Sequence, residues 1–178
     1  MTTLIRPSQA GDVPRMTAIY AHHVVHGSGS FELMAPDEPE MARRRATVLE
    51  NGLPYLVAEV DGAVMGYAYA NLFRPRPAYR YLVENSVYID HQAQRLSLGR
   101  ALMAELIQRC EAQGARQMIA VIGDSANLGS IRLHQGLGFE HVGLIRSSGW
   151  KHQRWLDTVM MQRALGLGDL TTPLSGTP

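Results

Sequence analysis

Residues 54–73, PYLVAEVDGAVMGYAYANLF, constrain the fold more than any other stretch, because two apolar, β-branched and aromatic runs meet at Asp61-Gly62. Both turn residues tolerate the left-handed backbone of a two-residue connection, so the segment predicts a tight antiparallel hairpin. A lone hairpin is at best marginally stable in water, so neighbouring strands and covering helices must come from elsewhere in the chain.

They can be read in order. TLIRPS (3–8) predicts a first strand, and QAGDVPRMTAIYAHHVVHG (9–27) a helix begun near Asp12 and Pro14 and stopped by Gly27. SFELMAPD (30–37) reads as a loop, and EPEMARRRATVLENG (38–52) as a second, more polar helix whose Arg43, Arg44 and Arg45 suit a solvated face. After the hairpin and the loop NLFRPRPAYRY (71–81), ENSVYID (84–90) favours a strand, and a long amphipathic helix is expected from about Leu96 to Gln113. RQMIAVIGD (116–124) reads as a buried strand, NLGSIRLHQGL (127–137) as a helix, and HVGLIRSSG and RWLDTVMMQR as two closing strands. The order predicts one α/β domain over residues 1–163, with a frayed tail over 164–178.

Composition removes several classes of function. A chain of 178 residues with net charge +1 and no dense Lys/Arg run is a poor nucleic-acid binder. The single cysteine, Cys110, excludes an intrachain disulfide framework and a multi-thiolate metal site, and it lies within an apolar-periodic run as a buried small hydrophobe. No metal is expected, since His22, His23 and His26 belong to the first helix rather than to a ligand set. The start MTTLIRPSQAGD lacks the apolar core of a signal peptide and no stretch approaches a membrane span, so a soluble cytoplasmic protein is expected.

The polar loop before the long helix, DHQAQRLSLGR (90–100), sits where a central strand ends and a helix begins. Unpaired N–H groups at a helix start can hold an anion, although an ordinary connecting loop fits this stretch taken alone.

SVYIDHQAQRLSLGRAL and NLGSIRLHQGLGFEHVG, together with the element order, resemble the GCN5-related N-acetyltransferases. Within that superfamily, YLVAEVDGAVMGYAYA, VENSVYI, EAQGARQMIAVIG, SIRLHQGLGF and WKHQRWLDTVMMQ are similar to the phosphinothricin and methionine sulfoximine acetyltransferases. The resemblance runs from about Leu4 to Gln162. It implies a central mixed, mostly antiparallel sheet flanked by helices, acetyl-CoA as cosubstrate, a small amino acid analogue as acceptor, direct transfer and a homodimer.

It also implies roles for residues. Gln94, Arg95, Leu96, Ser97, Leu98, Gly99 and Arg100 would wrap the pyrophosphate, with Ser97 where the family pattern has glycine. Ser86, Val87, Tyr88 and Ile89 would meet the pantetheine arm through their backbones, and Asn127 would bond the same arm or simply cap its helix. Glu84 matches the proposed general base, and His134 replaces a tyrosine that can protonate the leaving thiolate. Phe31, Arg74, Arg80 and Tyr81, with Glu84, Asn85 and Ser86, would contact the acceptor. The rivals are a sister acetyltransferase for polyamines, aminoglycosides or protein N-termini, and a non-catalytic acyl-CoA-binding regulator suggested by Ser97.

Overall fold

A computed structural model describes residues 2–93 and 96–173. Among these residues are seven strands and four α-helices, with short 3-10 turns between them. The strands are β1 (Thr3–Pro7), β2 (Tyr55–Val60), β3 (Ala63–Leu72), β4 (Leu82–Ile89), β5 (Gln117–Gly123), β6 (Glu140–Lys151) and β7 (Arg154–Ala164). The helices are α1 (Val13–His26), α2 (Glu38–Glu50), α3 (Leu98–Ala112) and α4 (Leu128–Gln135). One sheet runs β1-β2-β3-β4-β5-β7-β6, and only the β4–β5 pair is parallel.

The hairpin forms as its turn demands: Asp61 and Gly62 both take positive φ, 47° and 87°. Along β3, residues alternate between faces, so Ala68 and Ala70 lie opposite in orientation to Tyr67 and Tyr69. Small residues on one side let α3 approach closely with its buried Leu102, Met103, Leu106 and Cys110, while α1 and α2 lie over the tyrosine side. The first helix ends at Gly27, whose N–H bonds the His23 carbonyl.

The stretch after residue 163 continues β7 by one residue and then turns, with Leu165 buried and Arg116 holding the carbonyls of Gly168 and Thr171; the rest of the expected tail, 174–178, lies outside the described residues. One expectation meets a correction. The three arginines of α2 are not a uniformly solvated face. Arg43 stays exposed, but Arg44 reaches Glu32 and Glu40, and Arg45 bonds the hydroxyl and carbonyl of Ser8. Their partners belong to other parts of the chain, which periodicity along one helix cannot reveal.

Candidate active site

The site begins where sheet pairing stops. β4 and β5 stay in register from Leu82↔Gln117 to Asn85↔Ala120 and then separate, while β4 remains paired with β3 as far as Ile89. The β5-facing edge of residues 86–89 is thereby released, and strand alternation aims part of its N–H and C=O groups into the gap. A cleft of about 540 Å³ results, walled by Asn85 to Ile89, by β5 from Ala120 to Gly123 and by the start of α4.

The loop after α1 forms the cleft's rim. A Cβ on Gly123 would lie 2.6 Å from the Ser28 carbonyl oxygen and 2.8 Å from that of Gly29, so glycine is what admits this loop. Phe31 packs against Gly149 of β6, and the buried Lys151 donates from Nζ to the Ser30 carbonyl at 2.7 Å. Burial pushes the Lys151 ammonium below its ordinary value, with Glu32 pulling the other way. The loop is thus tied to the β6–β7 hairpin.

Asn85 marks the point of divergence. Its Nδ2 donates to the Ile119 carbonyl at 3.1 Å, and its Oδ1 stands 2.9 Å from His134 Nε2. His134 Nδ1 lies 2.8 Å from the Ser130 carbonyl; both neighbours are acceptors, so the neutral ring, with a single N–H, donates to only one of them. Burial pushes the imidazole below its ordinary value, and the Ser130 carbonyl opposes that only in part. Asn127 caps α4 by accepting from the Ser130 N–H at 3.3 Å, and it also lines the cleft.

Glu84 lies one residue earlier on β4, opposite Asn71 of β3. It is half-buried, and desolvation raises its carboxyl above the usual range despite the nearby Arg74 charge. Glu84, Ser86 and Tyr88 share one face of β4 with their β3 partners Asn71, Tyr69 and Tyr67. A polar chain borders this face: Tyr20 Oη is 2.9 Å from Ser30 Oγ and donates at 2.8 Å to Glu32, which also receives Arg44 at 2.6 Å. Burial alone would raise the Glu32 carboxyl, but the bonds from Arg44 and Tyr20 hold it below the ordinary value.

At the start of α3, Ser97 takes φ 59°, ψ 12° without a side-chain capping bond. The first helical bond runs from the Ala101 N–H to the Ser97 carbonyl, so the N–H groups of Leu98, Gly99 and Arg100 have no partner within the helix. Leu98 itself is core, Leu96 is exposed, and Arg100 bonds the Gly136 carbonyl at 3.1 Å. Gly99 packs against Leu133 of α4. Gln94 and Arg95 lie outside the described residues.

Not every expected acceptor contact gathers here. Arg74 is exposed but close enough to influence Glu84. The Arg80 guanidinium stacks 4.7 Å from the Tyr81 ring centroid, and Tyr81 borders a separate cavity with Arg116 and residues 168–173. None of Arg74, Arg80 and Tyr81 lines the cleft. Tyr20, Glu32, Tyr55, Tyr67 and Tyr69 carry no site expectation from sequence, Arg44 is expected on a solvated face, and Lys151 only within the late hairpin. For the three strand tyrosines a signal existed in the i, i+2 spacing of Tyr67 and Tyr69 opposite Tyr55.

Among the described residues, no group of three or more His, Cys, Asp or Glu is placed to hold a metal ion, and no helix is long and apolar enough to cross a membrane.

Comparison with known proteins gives this geometry a family. A phosphinothricin N-acetyltransferase of Alcaligenes faecalis is 52% identical over 169 residues, covering 95% of this chain and 86% of that protein. An L-methionine sulfoximine/L-methionine sulfone acetyltransferase of Pseudomonas aeruginosa is 38% identical, covering 91% of this chain and 94% of that protein. The crystal structure of a phosphinothricin acetyltransferase from Sinorhizobium meliloti in complex with acetyl-CoA superposes with a TM-score of 0.96 at 50% identity, covering 99% of this chain and 95% of that one. Residues 23–139, which hold the released edge of β4, Glu84 and the start of α3, match the model of the acetyltransferase (GNAT) family, and the chain belongs to that family.

Proposed function

We propose that this protein transfers an acetyl group from acetyl-CoA to the α-amine of a small amino acid analogue of the phosphinothricin or methionine sulfoximine type. The observation that carries the reading is the half-buried Glu84 standing one residue before the place where β4 and β5 part. The names of the relatives support the acceptor class.

Acetyl-CoA supplies an activated thioester carbonyl. Toward it, the freed backbone of residues 86–89 offers polar groups along an extended arm, and the unpaired N–H groups at the start of α3 suit a pyrophosphate. A backbone N–H aimed at the thioester oxygen stabilises charge developing there, an effect worth roughly 3 kcal/mol in known oxyanion holes.

An α-ammonium has an ordinary pKa of about 8, so a proton must leave before nitrogen can attack. Glu84 accepts it, directly or through water, and the raised affinity of its carboxyl for protons suits a base working near neutrality. Attack forms the C–N bond and breaks the C–S bond, and the amine's second proton passes through water to the departing sulfur. In place of the acid role we assign His134 a positioning one: burial favours the neutral ring, and its Nε2–H donates to Asn85 Oδ1 at the fork. Transfer is direct, since Cys110 is buried in the core with its thiol pushed up to about 12. We further propose a homodimer formed through β6, an edge strand that exposes Val142, Leu144 and Ile145.

Glu84→Gln tests the reading. It should fold and bind acetyl-CoA, yet lose about 10²-fold or more in turnover at pH 7, with the loss shrinking as pH rises and free amine accumulates. Near-normal turnover at pH 7 would place the base elsewhere. Burial makes the ionised carboxylate a liability to folding, because the native state holds the proton more tightly than the unfolded chain. The variant should therefore melt no lower than wild type at pH 8.

A further inference from the structure

A second cavity, of about 200 Å³, lies between α1, α2 and the sheet, bordered by Tyr20, Arg44, Tyr55, Tyr67, Tyr69 and Asn71. Three of the tyrosine rings are stacked almost parallel: Tyr55 and Tyr69 at 4.8 Å, Tyr55 and Tyr67 at 5.9 Å, with interplanar angles of 16° and 11°. Tyr55 and Tyr67 are 3% and 0% exposed. Yet neither hydroxyl makes a hydrogen bond to any described residue, although no fully enclosed side-chain nitrogen or oxygen among those residues lacks a partner. Both residues line the cavity. Nearly every buried polar group in a native protein has a partner, so two unpartnered donors on residues that border one small space call for an acceptor there.

The cavity adjoins the reacting centre through the sheet register. Asn71 is opposite Glu84, Tyr69 is opposite Ser86, and Tyr55 is opposite Tyr69 on the next strand. Two strand steps, about 10 Å, thus separate Glu84's strand from that of Tyr55. An amino acid whose amine meets Glu84 can lay its side chain across β3 and bring its distal group beneath the tyrosine hydroxyls.

Charge narrows the choice of group. Arg44, the cation on the rim, is paired with Glu32 at 2.6 Å and Glu40 at 2.7 Å, and Glu40 also takes Arg43 at 2.8 Å. Arg45 stands further along α2, bound to Ser8. With its cation matched by carboxylates, the cavity recognises hydrogen-bond acceptors more than net charge. The hydroxyls also stay protonated donors, since burial pushes both phenols above their ordinary value.

We infer that this tyrosine-lined cavity is the specificity pocket for the distal group of the acceptor, and that it selects a tetrahedral centre bearing acceptor oxygens, neutral sulfone and charged phosphinate alike, through Tyr55 and Tyr67. The inference rests on the amino acid acetyltransferase reading given above.

Methionine sulfone and methionine form the discriminating pair, because they differ only in the two distal oxygens. Tyr55→Phe and Tyr67→Phe keep the rings and remove the donors. Each should lower kcat/KM for methionine sulfone about 10-fold while leaving methionine within about twofold and the KM for acetyl-CoA unchanged. Calorimetric titration of methionine sulfone into the full-length protein with CoA should show the same selective weakening. Equal losses for both acceptors, or no loss for the sulfone, would overturn the pocket assignment. A wild type that acetylates neither acceptor refutes the proposed function; sulfone binding that still weakens selectively in the two variants would then uphold the pocket by itself.

Discussion

Ser97 offers the sharpest link between backbone geometry and measurement. At φ 59° it occupies the left-handed region, where Cβ crowds the backbone at a cost of roughly 1–2 kcal/mol for an L-residue. Nothing repays that cost locally, because the side chain is exposed and makes no capping bond. Ser97→Gly removes the strain but frees the unfolded chain, which returns about 0.4–1 kcal/mol. The balance favours the variant by about 0.5–1 kcal/mol. Unfolding entropy near 2.1 cal/mol/K per residue over 178 residues makes about 0.4 kcal/mol/K, so Tm should rise by roughly 1–3 °C.

Ser97→Ala is the control, because it keeps Cβ and should show no such rise. The N–H groups that follow residue 97 are unchanged by either substitution, so calorimetric affinity for acetyl-CoA should stay within about threefold. Differential scanning calorimetry reads the first effect and titration the second. If alanine raised Tm as much as glycine did, strain at φ 59° would not be the cause. If both variants weakened acetyl-CoA binding 10-fold, the hydroxyl would be a phosphate ligand and the backbone account would be wrong.

Two other outcomes are expected. Arg74 lowers the Glu84 carboxyl against the larger, raising effect of burial, so Arg74→Ala should push that carboxyl higher and move the acid limb of the kcat/KM profile to higher pH. Arg80→Ala, which removes a guanidinium stacked on Tyr81, should leave the limb in place; equal displacement by both would show a general charge effect. For the dimer, sedimentation of wild type should give twice the chain mass, and Val142→Lys with Ile145→Lys should return the single-chain mass without unfolding, since both positions are half exposed. A wild type that sediments as one chain would refute it.

The architecture was legible because its punctuation is local. Asp61-Gly62 fixes a turn, Gly27 stops a helix, and the β-branched run around Val87 favours a strand, each through backbone preferences that need no distant partner. Where β4 leaves β5 was not legible, since nothing in LVENSVYI announces that pairing ends after Asn85. That boundary depends on the Asn85–His134 and Asn85–Ile119 bonds, which join positions 49 and 34 residues apart.

Arg43, Arg44 and Arg45 make the same distinction at the level of single side chains. Successive helical residues turn about 100° from one another, so three identical neighbours cannot share one environment. Arg43 stays in solvent, Arg44 reaches the cavity beside Glu32, and Arg45 returns to Ser8 at the end of β1. Arg74 and Arg80 are expected in the pocket from the family resemblance, since guanidinium pairs well with a carboxylate or phosphinate. Yet the cavity that includes Asn71, the strand partner of Glu84, is lined by strand tyrosines, and strands aim side chains by pairing register rather than by loop chemistry. The alternation of Tyr67 and Tyr69 was visible, but that they stack with Tyr55 on the face that carries Glu84 follows only from the pairings Tyr55↔Tyr69 and Asn71↔Glu84. The inferred specificity pocket is thus a property of register: a two-residue slip of β2 against β3 would keep every tyrosine on its face and still move Tyr55 away from Tyr69, dismantling the cavity without changing the fold class.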